Sequence, residues 1–357
     1  MNSLKKYDGS INKNLVNQYL EQNDLPKYIF GTNKYGLLVA KYLTQNVIFI
    51  NELSSDEMYE GYSLIHDLNE VKEGAIVLNC IMSSYPITIR KKLDLAGIQN
   101  IDLFSLIKFG NIPIQIDYWE GFEKSYCGHK DEYDKLYDHL GDGKSKDTYR
   151  RLMDLRINLN LESMSVFTVN EENQYFESFL GLKSVGETFV DVGGYDGSTT
   201  LRFISRCPEY KKIYFLEPAP SIMEKAKNKL RGRRDIEYCQ IAASDKKQTM
   251  HFNLNESASS VSEDGELEIK ADTIDSMINT PVTFIKMDVE GSESMAIDGA
   301  RETILRDHPR LAICVYHKGG DYVDIPRQVL SIRKDYIVYL RHYTEGVTET
   351  VMFFIPA

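Results

Sequence analysis

From Glu187 to the C-terminus, apolar segments alternate with segments of helical spacing, and this alternation constrains the fold more than any other feature. TFVDV, KIYFLEP and TFIKMDV have the length and apolar content of buried strands, and STTLRFISRC and ESMAIDGARETILRD have the periodicity of helices. Such alternation favours a parallel sheet covered by helices. The last two strand-like segments flank TEGVTE, which indicates an antiparallel hairpin. We therefore predict a mostly parallel α/β sheet that ends in an antiparallel pair.

A smaller α/β pattern precedes this region. PKYIFGTNKYGLLVAKYLTQNVIFI has the order strand, glycine turn, helix, strand, and the alternation continues through GAIVLNC, PITIRKKLDLAG and IDLF. This predicts a Rossmann-like domain over residues 1–112. Residues 113–184 are charged and aromatic with helical spacing, and GDGKS interrupts them like a turn. We predict a helical connector there, followed by the larger domain over residues 185–357.

Charge and composition narrow the choice of partners. The net charge of -11 argues against a nucleic-acid partner, because phosphate binding uses Lys and Arg. No apolar run reaches the roughly 20 residues that span a bilayer, and the N-terminus lacks the apolar centre of a signal peptide. The five cysteines have no metal-ligand spacing, which is typical of free thiols in a reducing compartment. We expect a cytoplasmic protein that does not bind membranes.

The turn after the first strand of the larger domain indicates a ligand class. In doubly wound sheets, ligands bind beyond the carboxyl ends of the strands, and dinucleotide sites begin with a glycine at this point. Here Asp191 occupies that position, ahead of Gly193, Gly194 and Gly197. A carboxylate repels a diphosphate but attracts the ammonium and sulfonium groups of S-adenosylmethionine. The turn therefore favours this cofactor over NAD.

A second acid supports that choice. Glu217 ends the next strand, and an acid at this place can accept hydrogen bonds from two ribose hydroxyls of an adenosine. The glycine turn and Glu217 lie on adjacent strands of one βαβ unit. Together they favour a class I methyltransferase with a Rossmann-like fold.

Further polar residues follow the later strands. Asp288 and Glu290 follow TFIKM, His317 follows the next strand, and Arg341 and His342 end the strand after that. Because parallel strands end at one edge of a sheet, we expect these five side chains to form the catalytic site near the sulfonium.

The segments FVDVGGYDGSTT, LEP, IKMDVEGSE and VYHKGGD resemble the FkbM family of S-adenosylmethionine-dependent O-methyltransferases, over roughly residues 170–357. The resemblance implies a class I methyltransferase fold acting on hydroxyls of sugars, polyketides and related metabolites. It implies that Asp288 and Glu290 lie beside the reacting centre. In this chain Gly194 and Tyr195 stand where the family usually has Ala-Asn. The predicted cofactor contacts are Asp191, Gly193, Gly194, Tyr195, Asp196, Thr199, Glu217, Pro218, Ala243 and Asp288.

Methyl transfer to a hydroxyl requires an aligned nucleophile and removal of its proton. We predict His317 as the base, with Asp288 or Glu290 orienting it or the substrate, and His342 as the second candidate. Arg341 is predicted to hold a substrate phosphate. An alternative is a divalent metal ion bound by Asp288, Glu290 and His317, which would acidify the hydroxyl directly.

The family resemblance favours a sugar acceptor, nucleotide-linked, in capsule or surface-polysaccharide biosynthesis. The alternatives are O-methylation of a polyketide or lipid hydroxyl, and a nucleotide-binding scaffold without turnover. In the N-terminal turn IFGTNKYG, Asn33 replaces the middle glycine of a dinucleotide fingerprint. This domain is expected either to bind a nucleotide or sugar nucleotide, or to serve for docking or dimerisation. A homodimer would form through this domain or the connector.

Overall fold

The computed structural model describes residues 10–43, 46–253, 260–261 and 267–357. Its contacts divide the chain into two compact units. The N-terminal unit contains the described residues up to Glu120, together with Asp147–Asn170 and Tyr343–Thr348. The C-terminal unit contains Gly121–Lys146, Glu171–His342 and Glu349–Ala357. The segment predicted as a separate connector is thus divided between the two units.

The N-terminal unit is a Rossmann-like α/β domain. Its first helices are α1 (Ser10–Glu21), α2 (Lys34–Leu43), α3 (Pro86–Leu95) and α4 (Leu103–Gly110). Its strands are β1 (Lys27–Phe30), β2 (Val47–Ile50), β3 (Met58–Tyr59), β4 (Tyr62–Ile65), β5 (Ile76–Asn79) and β6 (Gln99–Asp102). They form a sheet in the order β3-β4-β2-β1-β5-β6, parallel except for β3. The apolar strands β1 and β5 are buried along their whole length, as expected for a sheet covered on both faces.

The glycine turn of this unit is closed by its own asparagine. The Oδ1 atom of Asn33 accepts hydrogen bonds from the backbone N–H groups of Tyr35 and Gly36, both at 3.0 Å. These amides belong to the first turn of α2, where a phosphate would otherwise bind. The Asn33 side chain therefore occupies the two amides that a phosphate would use at this turn.

The segment Tyr343–Thr348 supplies a long-range cap to helix α3. Tyr85 precedes this helix without a side-chain cap. The carboxylate of Glu345 instead accepts hydrogen bonds from the backbone N–H of Thr88 at 2.7 Å and from its hydroxyl at 2.6 Å. Glu345 is 6% exposed, so solvent competes little for these bonds.

We expect Glu345→Ala to lower the free energy of unfolding by about 1–3 kcal/mol, because it leaves two donors of Thr88 without their acceptor. Urea-induced unfolding followed by circular dichroism measures the change. Glu123→Ala, at an exposed position away from this cap, is the matched control. An unfolding midpoint equal to that of the wild type would show that the cap contributes no stability.

The C-terminal unit contains the larger sheet. The remaining helices are α5 (Phe122–Gly128), α6 (Lys130–His139), α7 (Gly143–Asn158), α8 (Ser198–Arg206), α9 (Pro220–Lys229), α10 (Ile274–Met277), α11 (Glu293–Asp298), α12 (Arg301–Asp307) and α13 (Asp321–Ile332). From Asp147 onward, α7 belongs to the N-terminal unit. The remaining strands are β7 (Thr188–Val192), β8 (Lys212–Leu216), β9 (Ile236–Cys239), β10 (Ala242–Ala243), β11 (Gln248–Asn253), β12 (Ser260–Val261), β13 (Leu267–Asp272), β14 (Phe284–Met287), β15 (Arg310–Cys314), β16 (Tyr336–His342) and β17 (Thr350–Pro356).

The order of the larger sheet is β16-β17-β15-β14-β7-β8-β9. Strand β17 is antiparallel to both of its neighbours, and the other pairs are parallel. The predicted parallel sheet with a terminal antiparallel pair is therefore confirmed. Strands β7, β14 and β15 end at one edge of the sheet, which places the glycine turn and the DVEGSE segment side by side.

Two features of this unit differ from the prediction. The segment ESMAIDGARETILRD forms two helices, α11 and α12, instead of one. The break falls at Gly299, where a Cβ atom would lie 1.9 Å from the carbonyl oxygen of Ser244. The sequence pattern also did not predict the small sheet β10-β13-β11-β12. Among the described helices, none has both the length and the apolar content to cross a membrane.

Candidate functional site

A cavity of about 620 Å³ lies at the carboxyl edge of β7, β8 and β14. Its wall combines the glycine turn, the ends of these strands and residues from the segment that precedes β7. All the predicted cofactor contacts except Asp191 line it, as does the predicted catalytic residue Glu290. These lining residues are Gly193, Gly194, Tyr195, Asp196, Thr199, Glu217, Pro218, Ala243, Asp288 and Glu290.

The glycine turn is packed tightly against the sheet. Gly193 has a φ of +72°, and a Cβ atom there would lie 1.9 Å from the carbonyl oxygen of Asp288. A Cβ atom on Gly194 would lie 2.2 Å from the ring of Phe215. Only glycine fits at Gly193, because a side chain there would collide with the backbone of Asp288, whereas a side chain at Gly194 would require the ring of Phe215 to move.

Glu217 is fixed at the cavity wall. Its Oε1 atom accepts a hydrogen bond from the backbone N–H of Ala219 at 2.9 Å, and its Oε2 atom accepts one from Tyr195 at 3.2 Å. Burial raises the pKa of Glu217, and these two bonds oppose the rise. Each oxygen keeps a second lone pair, so the carboxylate can accept hydrogen bonds from a ligand.

Asp191 does not line the cavity, which corrects its predicted role. The residue is fully buried, and its Oδ2 atom accepts a hydrogen bond from the hydroxyl of Thr200 at 2.7 Å. Its Oδ1 atom lies 3.3 Å from the ammonium nitrogen of Lys286. Lys286 in turn donates a hydrogen bond to the carbonyl of Gly193 at 2.6 Å. Asp191 therefore anchors the turn through Lys286, and its charge is already balanced without a ligand.

Sequence reasoning missed Lys286, although a lysine inside the apolar strand TFIKMDV is itself a signal. Burial opposes a charge on this side chain, but Asp191 and Asp288 outweigh it and raise the pKa of Lys286. The ammonium therefore stays charged at the cavity wall.

The structure brings His317 together with three carboxylates. Its Nδ1 atom lies 2.9 Å from Glu293, and its Nε2 atom lies 3.4 Å from Asp288 and 3.5 Å from Glu290. Burial disfavours the charged imidazole, yet the carboxylates, with Glu293 foremost, raise the pKa of His317 to about 10. An imidazole with this pKa is protonated at pH 7 and cannot accept a proton. The carboxylates around His317 therefore favour a protonated ring over the predicted neutral base.

Glu349 is a cavity residue that the sequence did not single out. It accepts a hydrogen bond from the hydroxyl of Tyr316 at 3.2 Å and another from the side-chain amide of Gln174. Burial, and then the neighbouring charge of Asp288, raises the pKa of Glu349 to about 7. Burial likewise raises the pKa of Glu290 to about 7. Two carboxyl groups in the cavity therefore titrate close to neutral pH.

Tyr175 joins this cluster from the segment before β7. Its hydroxyl donates a hydrogen bond to Asp288 at 2.7 Å, and its ring centre lies 5.3 Å from the ammonium of Lys286. Burial would raise the pKa of Asp288, but Lys286, His317 and this hydrogen bond lower it. Asp288 is therefore ionised at the cavity wall.

Backbone strain concentrates at the cavity. Nine described non-glycine residues have a positive φ, and four of them line the cavity. Such conformations cost about 1–3 kcal/mol each and cluster at functional sites. The four residues are Tyr175, Tyr195, Glu290 and Glu349.

The structure removes Arg341 and His342 from the predicted catalytic site. Arg341 is 4% exposed, and its guanidinium donates hydrogen bonds to Asp142 at 2.6 Å and to Ser145 at 2.8 Å. Burial opposes ionisation of Asp142, but the bonds from Arg341 hold the pKa of this carboxyl at about 2. His342 pairs with the hydroxyl of Thr350 at 2.9 Å. Neither residue lines the cavity, because strand β17 separates β16 from β15.

Residues 191–338 match the family model of the methyltransferase FkbM domain. Among solved structures, the methyltransferase FkbM from Methylobacillus flagellatus KT is 23% identical, with a TM-score of 0.74 and coverage of 96% of this chain and 93% of its own. At this identity the likeness shows a shared fold, here along nearly the whole of both chains.

Two other structures are more distant. An rRNA methylase from Streptococcus thermophilus is 15% identical over 53% of this chain and 98% of its own, with a TM-score of 0.36. The Aeropyrum pernix fibrillarin, solved with S-adenosylmethionine, is 15% identical over 52% of this chain and 76% of its own, with a TM-score of 0.35. These scores are too low to support an argument. The comparison with curated proteins gave no match. Residues 191–338 of the C-terminal unit thus match the methyltransferase FkbM domain, and the chain shares its fold with a solved FkbM methyltransferase.

Proposed function

We propose that the C-terminal unit transfers a methyl group from S-adenosylmethionine to a hydroxyl group of a sugar, in nucleotide-linked form, in capsule or surface-polysaccharide biosynthesis. The observation that carries the proposal is the single cavity that joins the glycine turn, Glu217 and the acidic cluster around Asp288 at one sheet edge. Ligands of doubly wound sheets bind at this edge.

The cavity wall suits the charge of this cofactor. Among the described lining residues, carboxylates outnumber the cations Arg202 and Lys286 by six to two. This balance attracts a positive sulfonium and ammonium. The carboxylates are Glu171, Asp196, Glu217, Asp288, Glu290 and Glu349.

The two ends of the cavity have different chemistry. Glu217 would accept hydrogen bonds from the ribose hydroxyls, and Ile222, Ile241 and Met250 would pack against the adenine. Asp288, Glu290 and Glu349 also line the cavity and would receive the acceptor hydroxyl. The cofactor would supply an activated methyl group between these two ends.

Glu349 is the proton acceptor that this geometry favours. Because the pKa of Glu349 is raised to about 7, its carboxylate can remove a proton near neutral pH. Gln174 and Tyr316 hold the carboxylate in place by hydrogen bonds. This assignment replaces the predicted base, His317, whose protonated ring donates instead of accepting.

Incubation of the purified chain with S-adenosylmethionine and a panel of nucleotide sugars tests the proposal. We expect one sugar to gain the mass of one CH₂ unit by mass spectrometry. Products formed only from polyketide or lipid alcohols would overturn the sugar acceptor and keep the methyl transfer. A chain that binds the cofactor product and methylates none of these acceptors would fit the scaffold alternative.

A further inference from the structure

We propose that Asp288, Glu290 and His317 bind one divalent cation of the first transition series, such as Mn²⁺ or Zn²⁺, at the end of the cavity, and that Glu293 orients the imidazole for it. The ion's part in methyl transfer rests on the proposed function, whereas its binding can be measured without it.

The orientation of His317 is the first argument. Its Nδ1 atom lies 2.9 Å from Oε1 of Glu293, which also accepts a hydrogen bond from the backbone N–H of Val289 at 3.0 Å. Glu293 is 1% exposed and therefore has little freedom to move. A histidine that ligates a metal through one nitrogen typically donates its other N–H to a carboxylate, which fixes the ring. Glu293 supplies that carboxylate and directs Nε2 toward Asp288 and Glu290.

The distances on the other side of the ring fit a shared ion. The Nε2 atom lies 3.4 Å from Oδ1 of Asp288 and 3.5 Å from Oε2 of Glu290. Ligand atoms about 2.0–2.1 Å from a tetrahedral cation lie about 3.4 Å from each other. The observed separations are longer than a good N–H···O hydrogen bond and match the spacing of neighbouring ligands.

Asp288 provides an independent observation. No donor among the described residues makes a hydrogen bond to its buried Oδ1 atom, whereas its Oδ2 atom is bonded by Tyr175 at 2.7 Å. A buried carboxylate oxygen without a donor is costly, and a cation would satisfy it. Asp288, Glu293 and His317 each offer a ligand atom within 4.8 Å of the others, and Glu290 adds its Oε2 atom 3.5 Å from Nε2 of His317.

The charge of the cluster favours a dication. Three carboxylates, from Asp288, Glu290 and Glu293, surround one imidazole. The protonated ring balances one of these three charges, and the ammonium of Lys286 is already paired with Asp191. A dication that binds Nε2 displaces the proton from that nitrogen and supplies two positive charges in its place. Imidazole selects transition metals over Mg²⁺, while carboxylates accept Mn²⁺ and Zn²⁺ alike. An ion here would face the cavity through Asp288 and Glu290 and could lower the pKa of an acceptor hydroxyl.

Calorimetric titration of the EDTA-treated full-length chain with MnCl₂, ZnCl₂ and MgCl₂ tests the proposal. We expect one Mn²⁺ or Zn²⁺ per chain, with Mg²⁺ weaker. Glu293→Gln should weaken binding by about 10- to 100-fold, as loss of an orienting carboxylate does elsewhere, and Glu290→Gln and His317→Gln should weaken it at least as much.

Glu224→Gln is the matched control, because Glu224 lies at an exposed position of α9 and does not line the cavity. It should bind the ion like the wild type. Circular dichroism checks that each variant folds. If the variants at buried positions fail to fold, Glu290→Gln still tests the site, because the Glu290 side chain is 30% exposed and tolerates replacement. The absence of ion binding to the wild type, or equal binding by Glu290→Gln and His317→Gln, would overturn the proposal. Parallel titration with S-adenosylhomocysteine separates this failure from failure of the proposed function.

Discussion

Replacement of Glu349 with glutamine is expected to lower kcat for methyl transfer by about 10²- to 10⁴-fold, the usual contribution of a general base. Glutamine preserves the size of the side chain and can still accept the hydrogen bond from Tyr316, which lies 3.2 Å from Oε1 of Glu349. It cannot accept a proton at neutral pH. The affinity for S-adenosylhomocysteine should stay close to that of the wild type, so the loss falls on kcat.

The pH profile gives this prediction a second readout. A carboxyl must be ionised to act as a base, so wild-type activity should fall as the pH drops below the raised pKa of Glu349, about 7. The glutamine variant should lack this acidic limb. A cation bound beside His317 would move the limb of the wild type to lower pH. If Glu349→Gln keeps the wild-type kcat, another group must accept the proton. Glu171→Gln is the control for a change of charge in the cavity.

The second large effect is expected at Glu217. Hydrogen bonds to a charged group contribute about 1.5–3 kcal/mol each, so Glu217→Gln should weaken binding of S-adenosylhomocysteine by roughly 10- to 100-fold or more. The carboxylate now accepts hydrogen bonds from the backbone N–H groups of Tyr195 and Ala219. In the glutamine variant the NH₂ group would face one of these donors, and that hydrogen bond would be lost. Calorimetry measures the dissociation constant. Glu224→Gln, on the exposed side of α9, is the control, and an unchanged dissociation constant for Glu217→Gln would exclude the ribose contact.

Much of the larger sheet could be predicted because its signals are local. The strands before Asp191, Glu217 and Asp288 are short apolar runs, and parallel strands end at one edge. From this rule the sequence predicts that Asp288, Glu290 and His317 lie at one sheet edge, and in the structure Nε2 of His317 is 3.4 Å from Asp288 and 3.5 Å from Glu290. The glycine turn could be predicted for the same reason.

The remaining features depend on pairs that are distant in the sequence. The charge partner of Asp191 is Lys286, from a neighbouring strand, and this pairing changed the role of Asp191 from ligand contact to anchor. Arg341 pairs with Asp142, which precedes it by 199 residues, and so lies outside the site. No local periodicity reports such pairs, because periodicity describes only which face of an element is apolar.

Glu349 illustrates a different limit. It belongs to the loop TEGVTE, where a glutamate is ordinarily a surface residue. Glu349 has a positive φ of +67° and lies in the cavity wall, where its carboxylate accepts hydrogen bonds from Gln174 and Tyr316 of other segments of the C-terminal unit. The sequence shows only that this loop contains two acids, Glu345 and Glu349. It does not indicate which of the two lies in the cavity.

Titration of the wild-type chain with S-adenosylhomocysteine in a calorimeter tests the central claim most directly, because the cavity at the glycine turn is the basis of every functional inference. We expect saturable binding of one ligand per chain, weakened in Glu217→Gln and preserved in Glu224→Gln. The absence of binding to the folded wild-type chain would contradict the account.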